Sequence, residues 1–99
     1  MNISFDEIYV IKTSYGDELV TKIVAEDETT YTLTKPLVVI AGPQGVQMIS
    51  GVVTGDPDSN VTLFKSHCAL LVPARREVSD GYIETITGIK PVSNKILMG

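Results

Sequence analysis

His67 and Cys68 are the residues of this chain whose types could support nucleophilic catalysis, since an imidazole beside a thiol can generate a thiolate. Successive side chains of a strand point to opposite faces of the sheet, so we expect these two neighbours to diverge. The chain contains no second histidine or cysteine that could replace either of them. One histidine and one cysteine also fall short of a zinc site, which needs four ligands or three and a water. We therefore predict a protein that is not an enzyme and has no zinc at this pair.

Two acidic turns contain carboxylates that could bind a cation. Residues 56–60, Asp-Pro-Asp-Ser-Asn, copy the opening oxygens of a calcium-binding loop. The sixth position of that loop is Val61, where the sharp turn needs glycine, and the twelfth is His67, where a bidentate glutamate belongs. Residues 26–28, Glu-Asp-Glu, form the other acidic turn, and exposed carboxylates in a turn usually stay hydrated. We therefore predict no metal site and no cofactor.

Arg75 and Arg76 are the only arginines, and adjacent guanidinium groups could clamp a phosphate or a carboxylate through forked hydrogen bonds. Glu77 dilutes their charge. We expect a polar cluster that leads into a helix, and contact with a ligand is the alternative. The glycines give no phosphate-binding fingerprint, because no Gly-Lys-Ser/Thr and no closely spaced triad leads from a strand into a helix.

Alternating apolar residues and polar turns predict three consecutive antiparallel strands in the first third of the chain. In the second strand, Leu19, Ile23 and Ala25 should share one face of the sheet. Pro36 cannot donate a backbone hydrogen bond, so we expect it to interrupt the pairing of the third strand. The predicted strands lie at residues 8–11, 19–25 and 31–34, and the turns between them at 14–17 and 26–29.

Further extended segments follow Pro36. Turns are predicted at residues 42–45, Gly-Pro-Gln-Gly, and at residues 54–60, which are rich in Gly, Pro, Asp and Asn. Gly51 suggests a bulge or bend between them. The segment directly after Pro36, residues 37–40, is purely aliphatic. It either forms a buried strand of its own or prolongs the third strand. The extended segments lie at residues 37–40, 46–53, 61–64 and 67–72.

Toward the C-terminus the apolar spacing changes to that of an amphipathic helix. Val78, Tyr82, Ile86 and Ile89 recur at intervals of four, four and three residues. We predict one domain, because a chain of 99 residues is too short to divide its core. The predicted fold is mainly β: a five-stranded, strongly bent antiparallel sheet or open barrel over residues 8–73, a C-terminal helix at about 75–88, and a tail at 89–99.

Charge and composition limit the partners. Residues 1–34 carry two lysines against seven Asp or Glu, whereas residues 35–99 carry six basic and five acidic side chains. This acidic beginning weighs against double-stranded DNA as a partner and leaves room only for a local phosphate contact. At 43% hydrophobic residues and a mean hydropathy of +0.19, the chain is apolar for a small domain. We therefore expect further copies of the chain to cover part of its surface.

The compartment is predicted from segments that the sequence lacks. The first residues have no basic start and apolar run, and no segment approaches the roughly 20 apolar residues that cross a bilayer. Cys68 has no partner for an intramolecular disulfide, which is typical of a reducing compartment. We predict a cytoplasmic protein that makes no contact with membranes.

The order of strands and turns over residues 8–73 resembles the Sm-like fold of the Sm, LSm and Hfq proteins. The first motif of that family has a glycine after strand one, an alternating aliphatic strand, and an Asp-x-Met-Asn turn. Gly16, residues 19–24 and residues 27–30 match these features, and Asp27 is the residue of the turn that this chain keeps. The resemblance implies that Thr29 and Thr30 occupy the positions that stack on a base and hydrogen-bond it.

The second motif resembles that of Hfq. Residues 64–66, Phe-Lys-Ser, and 72–73, Val-Pro, are similar to its Tyr-Lys-His and Val-Pro, with His67 one place late. The Arg-Gly pair of Sm and LSm proteins is absent. The resemblance implies that Lys65 faces a pore and meets phosphate, with Ser66 and His67 beside it. The usual fold places its helix before the sheet, so a helix after the sheet is a departure. In having such a trailing helix, the chain resembles short divergent Sm-like proteins of bacteriophage genomes.

These features predict a homo-oligomer in which the edges at residues 61–64 and 68–72 pair head to tail, and the resemblance implies that the copies close into a ring. The leading hypothesis is that this nonenzymatic ring binds single-stranded RNA. The alternative is a protein-assembly module of the same fold that binds another protein and no RNA. The resemblance favours the first hypothesis, and the charge balance favours the second. The predicted RNA contacts are Asp27, Thr29, Thr30, Lys65, Ser66 and His67.

Overall fold

Strands dominate the computed structural model, which describes residues 2–51, 54–56 and 58–88. Within these residues there are six strands, one α-helix and one short 3-10 turn. The tail predicted at residues 89–99 lies outside them. The elements are β1 (Ile8–Thr13), β2 (Glu18–Glu26), β3 (Thr30–Gly42), β4 (Gly45–Ser50), β5 (Val61–Phe64), the 3-10 turn (Lys65–His67), β6 (Cys68–Pro73) and α1 (Arg76–Thr87).

All strand pairs are antiparallel, and the path through the sheet is β4-β3-β2-β1-β6. β5 lies off this path and pairs with the first residues of β3, while β4 pairs with its last residues. The structure therefore has one strand more than predicted, because the long β3 serves two separate partners. The described strands do not close into a barrel, and the predicted mainly β fold with a bent antiparallel sheet and a C-terminal helix is confirmed.

Two irregularities in the β2–β3 pairing bend the sheet. Lys35 and Pro36 together lie opposite the single residue Thr21, and farther along Val24 has no partner in β3. Such bulges increase local twist and bend a strand. Pairing with β2 is thus interrupted at Pro36, as predicted. Of the two predicted alternatives for residues 37–40, the structure shows that they prolong β3, which is one continuous strand.

Both faces of the bent sheet are apolar, and each has its own core. On one face, Ile8, Val20 and Leu37 pack with Tyr82 of α1. On the other face, Tyr9, Ile11, Ile23 and Leu33 are buried, and side chains from β5 and β6 pack against them. Leu19 packs with Ile23 in this second core, as the predicted alternation requires, whereas Ala25 is exposed after the bulge at Val24.

α1 covers the first core and ends where the sequence predicts. Tyr82 is its one fully buried residue, and the Tyr82 hydroxyl donates a hydrogen bond to the carbonyl oxygen of Thr34 at 2.8 Å. Gly88 follows the helix with φ of 76° and its N–H donates to the carbonyl oxygen of Glu84, a common C-terminal cap. Across the described ranges, no helix has the length and apolar character needed to span a bilayer.

Candidate nucleic-acid interface

The first predicted contact segment is the acidic turn, residues 26–30, which joins β2 to β3. The Asp27 carboxylate accepts hydrogen bonds from the N–H groups of Thr29 (2.9 Å) and Thr30 (2.8 Å) and from the Thr30 hydroxyl (2.9 Å). These donors, with the Thr29 N–H first, lower the pKa of Asp27 below its ordinary value. Asp27 therefore shapes the turn, and the Thr30 hydroxyl is committed to it.

The second predicted segment is the 3-10 turn, which lies directly against the acidic turn. The pairing of β5 with β3 sets Phe64 opposite Thr30, and the next N–H, that of Lys65, donates to the carbonyl oxygen of Thr29 at 2.8 Å. The fold therefore brings together the residues that the sequence placed in two distant motifs.

Lys65 is held by an ion pair and an aromatic ring. Its Nζ lies 2.6 Å from Oε2 of Glu26 and 4.9 Å from the centre of the Tyr31 ring. The hydrogen bond to Glu26 is the main cause of a raised pKa at Lys65, so the amine stays protonated. The Lys65 side chain is 28% exposed. An ammonium group has three donors, so protons beyond the one given to Glu26 remain for a ligand.

His67 ends the 3-10 turn beside a third segment, the β1–β2 turn. The His67 carbonyl oxygen accepts the N–H of Ser14 at 2.8 Å. Its imidazole lies against the ring of Tyr15, with the ring centres 5.4 Å apart and the planes tilted by 33°. Ser66 is exposed between Lys65 and His67. The 3-10 turn thus connects the acidic turn at one end with Tyr15 at the other.

The electrostatic character of this interface is mixed. Lys65 is the only lysine or arginine within the acidic turn and the 3-10 turn, and three carboxylates accompany it. The resemblance led us to expect Lys65 beside the acidic turn that contains Glu26, but it gave no sign that Tyr31 would also contact Lys65. Tyr15 was also missed, although an aromatic residue in an otherwise polar turn was a signal available in the sequence.

Among the residues that the structure describes, the side chains considered for catalysis and for cation binding do not converge on one another. The Cys68 thiol packs against the second core, where burial raises its pKa, while His67 faces Tyr15. Asp56 accepts hydrogen bonds from Asp58 and Ser59 and so closes its own turn. Over residues 2–51, 54–56 and 58–88, no group of three or more His, Cys, Asp or Glu could hold a metal ion.

The arginine pair lies apart from this interface, at the start of α1. Both side chains are largely exposed, with Arg75 3.9 Å from Glu77 and Arg76 4.0 Å from Asp80. Exposed pairs at such distances contribute little to stability. The predicted polar cluster before the helix is therefore present.

The two rims of the open sheet expose apolar side chains. β6 pairs with β1 and, among the described strands, with no other, and it exposes Leu70 and Val72. At the opposite rim, β5 exposes Phe64 and β4 exposes Val46 and Ile49. Unpaired edges of this kind are templates for pairing with another chain.

No protein-family model matches this chain, and neither does any curated protein.

Proposed function

We propose that this chain is a nonenzymatic Sm-like protein whose copies pair head to tail into a ring and bind single-stranded RNA through the acidic turn and the 3-10 turn. The hydrogen bond from the Lys65 N–H to the Thr29 carbonyl oxygen is the observation that carries this proposal. It joins the two segments whose sequences resemble the RNA-contacting motifs of the family.

The chemistry of the joined segments suits a single strand better than a duplex. Ser66 is exposed and offers its hydroxyl group, the exposed Thr29 hydroxyl lies 3.5 Å from Oδ1 of Asp27 and keeps its acceptor capacity, and Lys65 offers its remaining donors at the same place. Hydroxyl and ammonium groups can meet base edges, the 2′-hydroxyl and one phosphate. A broad basic face, which a duplex would need, is absent from both segments.

The open rims support the ring. Leu70 and Val72 on β6 and Phe64 on β5 lie at opposite ends of the sheet, so β6 of one copy can pair with the β5 rim of the next. Such a head-to-tail contact uses two different surfaces and closes into a ring when the rotation between copies allows it. Repetition around a ring places one Lys65 per copy on a common path for the strand.

Fluorescence anisotropy with labelled U-rich and A-rich oligonucleotides, at low and at moderate salt, tests RNA binding. We expect an affinity that falls with salt and that Lys65→Ala weakens. Arg76→Ala is the matched control, because it removes the same charge from α1, which packs on the other face of the sheet. No binding at low salt would remove RNA from the proposal.

The second candidate is a protein-assembly module of the same fold, and the Glu26–Lys65 ion pair favours it. A lysine held 2.6 Å from a carboxylate attracts phosphate less than a lone lysine does. An apolar cleft of about 420 Å³, lined mainly by valines of the strands β1, β2, β3, β4 and β6 and of α1, exposes apolar surface of the kind that marks interaction sites. Glu26→Gln distinguishes the candidates: it strengthens RNA binding if Lys65 contacts phosphate, and leaves RNA unbound if the ring serves only protein assembly.

A further inference from the structure

Tyr15 is exposed to a degree that folding does not require. It lies in the β1–β2 turn with 79% of its surface open to solvent, and its ring contacts that of His67. An aromatic ring in such a position contributes almost no apolar burial to the fold. The ring is therefore open to a ligand whose chemistry fits it.

Hydrogen bonds hold the backbone around Tyr15, and the contact with His67 restricts where its ring lies. The N–H of Thr13 donates to the carbonyl oxygen of Asp17 at 2.9 Å, and the N–H of Gly16 donates to the carbonyl oxygen of Thr13 at 3.0 Å. The Tyr15 N–H lies 3.3 Å from the Thr13 hydroxyl, and the Ser14 N–H donates to the carbonyl oxygen of His67. A ligand that meets the ring meets a surface that is already ordered, which lowers the entropic cost of binding.

The charges at this turn select the part of a nucleotide that Tyr15 can hold. Residues 13–17, Thr-Ser-Tyr-Gly-Asp, contain no lysine or arginine, and Asp17 repels phosphate. A nucleobase is neutral and has a flat face, and single-stranded bases commonly stack on tyrosine and histidine rings. The polar neighbours of Tyr15 make no continuous apolar patch of the kind that marks a protein interface.

We propose that Tyr15, supported by His67, is a stacking platform for one base of the RNA whose phosphate meets Lys65. This inference rests on the proposed function. It extends the proposed RNA-contacting surface from the acidic turn to the far end of the 3-10 turn. Lys65 and His67 are two residues apart along that turn, so a single strand that follows it meets the charge first and the ring next. Stacking is tolerant of base identity, so the platform adds affinity rather than sequence preference.

Tyr15→Ala and Tyr15→Phe, titrated beside the unsubstituted protein with a labelled oligonucleotide, test the platform. Loss of one stacked base should weaken binding by about 5-fold to about 150-fold in Tyr15→Ala. Tyr15→Phe keeps the ring and should bind within about 2-fold of the unsubstituted protein, since stacking needs no hydroxyl. Circular dichroism spectra that match across the three proteins verify folding, which the exposure of Tyr15 leads us to expect.

The salt dependence separates this role from that of Lys65. Tyr15→Ala should leave the slope of log affinity against log salt unchanged, whereas Lys65→Ala should reduce it by about 0.7, the value for one phosphate of a single strand. Equal affinity of Tyr15→Ala and unsubstituted protein would overturn the platform alone and leave the proposed function standing. Equal weakening by Tyr15→Phe and Tyr15→Ala would also overturn it. If the unsubstituted protein bound no oligonucleotide, both the platform and RNA binding would be wrong.

Discussion

Besides its apolar packing, α1 is attached to the sheet by buried hydroxyl groups around one carbonyl oxygen. The Tyr82 hydroxyl donates to the carbonyl oxygen of Thr34 at 2.8 Å, and the single proton of the Thr21 hydroxyl is shared between that oxygen, at 3.0 Å, and the carbonyl oxygen of Lys22, at 3.1 Å. Tyr82 and Thr21 are both fully buried, and burial raises the pKa of Tyr82. Because both side chains serve one acceptor, we predict that the effects of removing them are not additive.

The loss of unfolding free energy in each variant depends on which hydrogen-bond donors the Thr34 carbonyl keeps. Tyr82→Phe removes one hydrogen bond while Thr21 still serves the carbonyl, so the free energy of unfolding should fall by about 1 kcal/mol. Thr21→Val removes the other donor at a similar cost of about 1 kcal/mol. In the double variant the Thr34 carbonyl loses both side-chain donors, and the total loss should exceed the sum by about 0.5–3 kcal/mol. Each kcal/mol corresponds to a fall in Tm of about 4–8 °C for a domain of this size.

Urea unfolding followed by circular dichroism measures this coupling. The unsubstituted protein and all its variants must be compared at one protein concentration, since assembly of copies would make apparent stability depend on it. Tyr82→Ala is the reference for loss of packing and should cost about 3–5 kcal/mol. Additivity of Tyr82→Phe and Thr21→Val within about 0.3 kcal/mol would refute the shared acceptor.

Three further predictions concern turns and rims. Gly16 has φ of 100°, so Gly16→Ala should cost about 1–2 kcal/mol of unfolding free energy in urea, unlike the control Gly42→Ala, whose added Cβ meets nothing nearer than 3.9 Å. Because the pKa of Asp27 is lowered in the folded protein, Asp27 contributes stability above about pH 4 that is lost on further acidification. The Tm of Asp27→Asn, measured by thermal melts, should therefore fall less steeply between about pH 4 and pH 2 than that of the unsubstituted protein. Leu70→Lys on the β6 rim should reduce the assembled mass in gel filtration, whereas Ile83→Lys on the exposed side of α1 should not; equal effects would contradict edge pairing.

The strands of the sheet were predictable because their signals are local. β1, β2, β5 and α1 each appear within two residues of the segments that alternation and helical spacing indicate. The continuity of β3 through Pro36 was harder to predict, because it depends on a partner. Pro36 lies in the bulge opposite Thr21, where no backbone N–H is needed by β2, and its carbonyl oxygen accepts the Gly51 N–H at 2.9 Å.

The candidate site was predictable only in part, because its contacts join segments far apart in the chain. Periodicity gives no means of pairing β5 with β3, and the resemblance alone led us to expect Lys65 near Asp27. The distance of 2.6 Å between Lys65 and Glu26 depends on side-chain positions that follow from that pairing. The exposure of Tyr15 likewise depends on what the finished fold leaves uncovered.

Light scattering of the purified protein after gel filtration tests the assembly of copies through their rims most directly. Head-to-tail pairing of β6 with the β5 rim predicts one species of several copies, with a mass that is a whole multiple of 10.7 kDa and does not change on dilution through the micromolar range. A monomer of 10.7 kDa at these concentrations would contradict it.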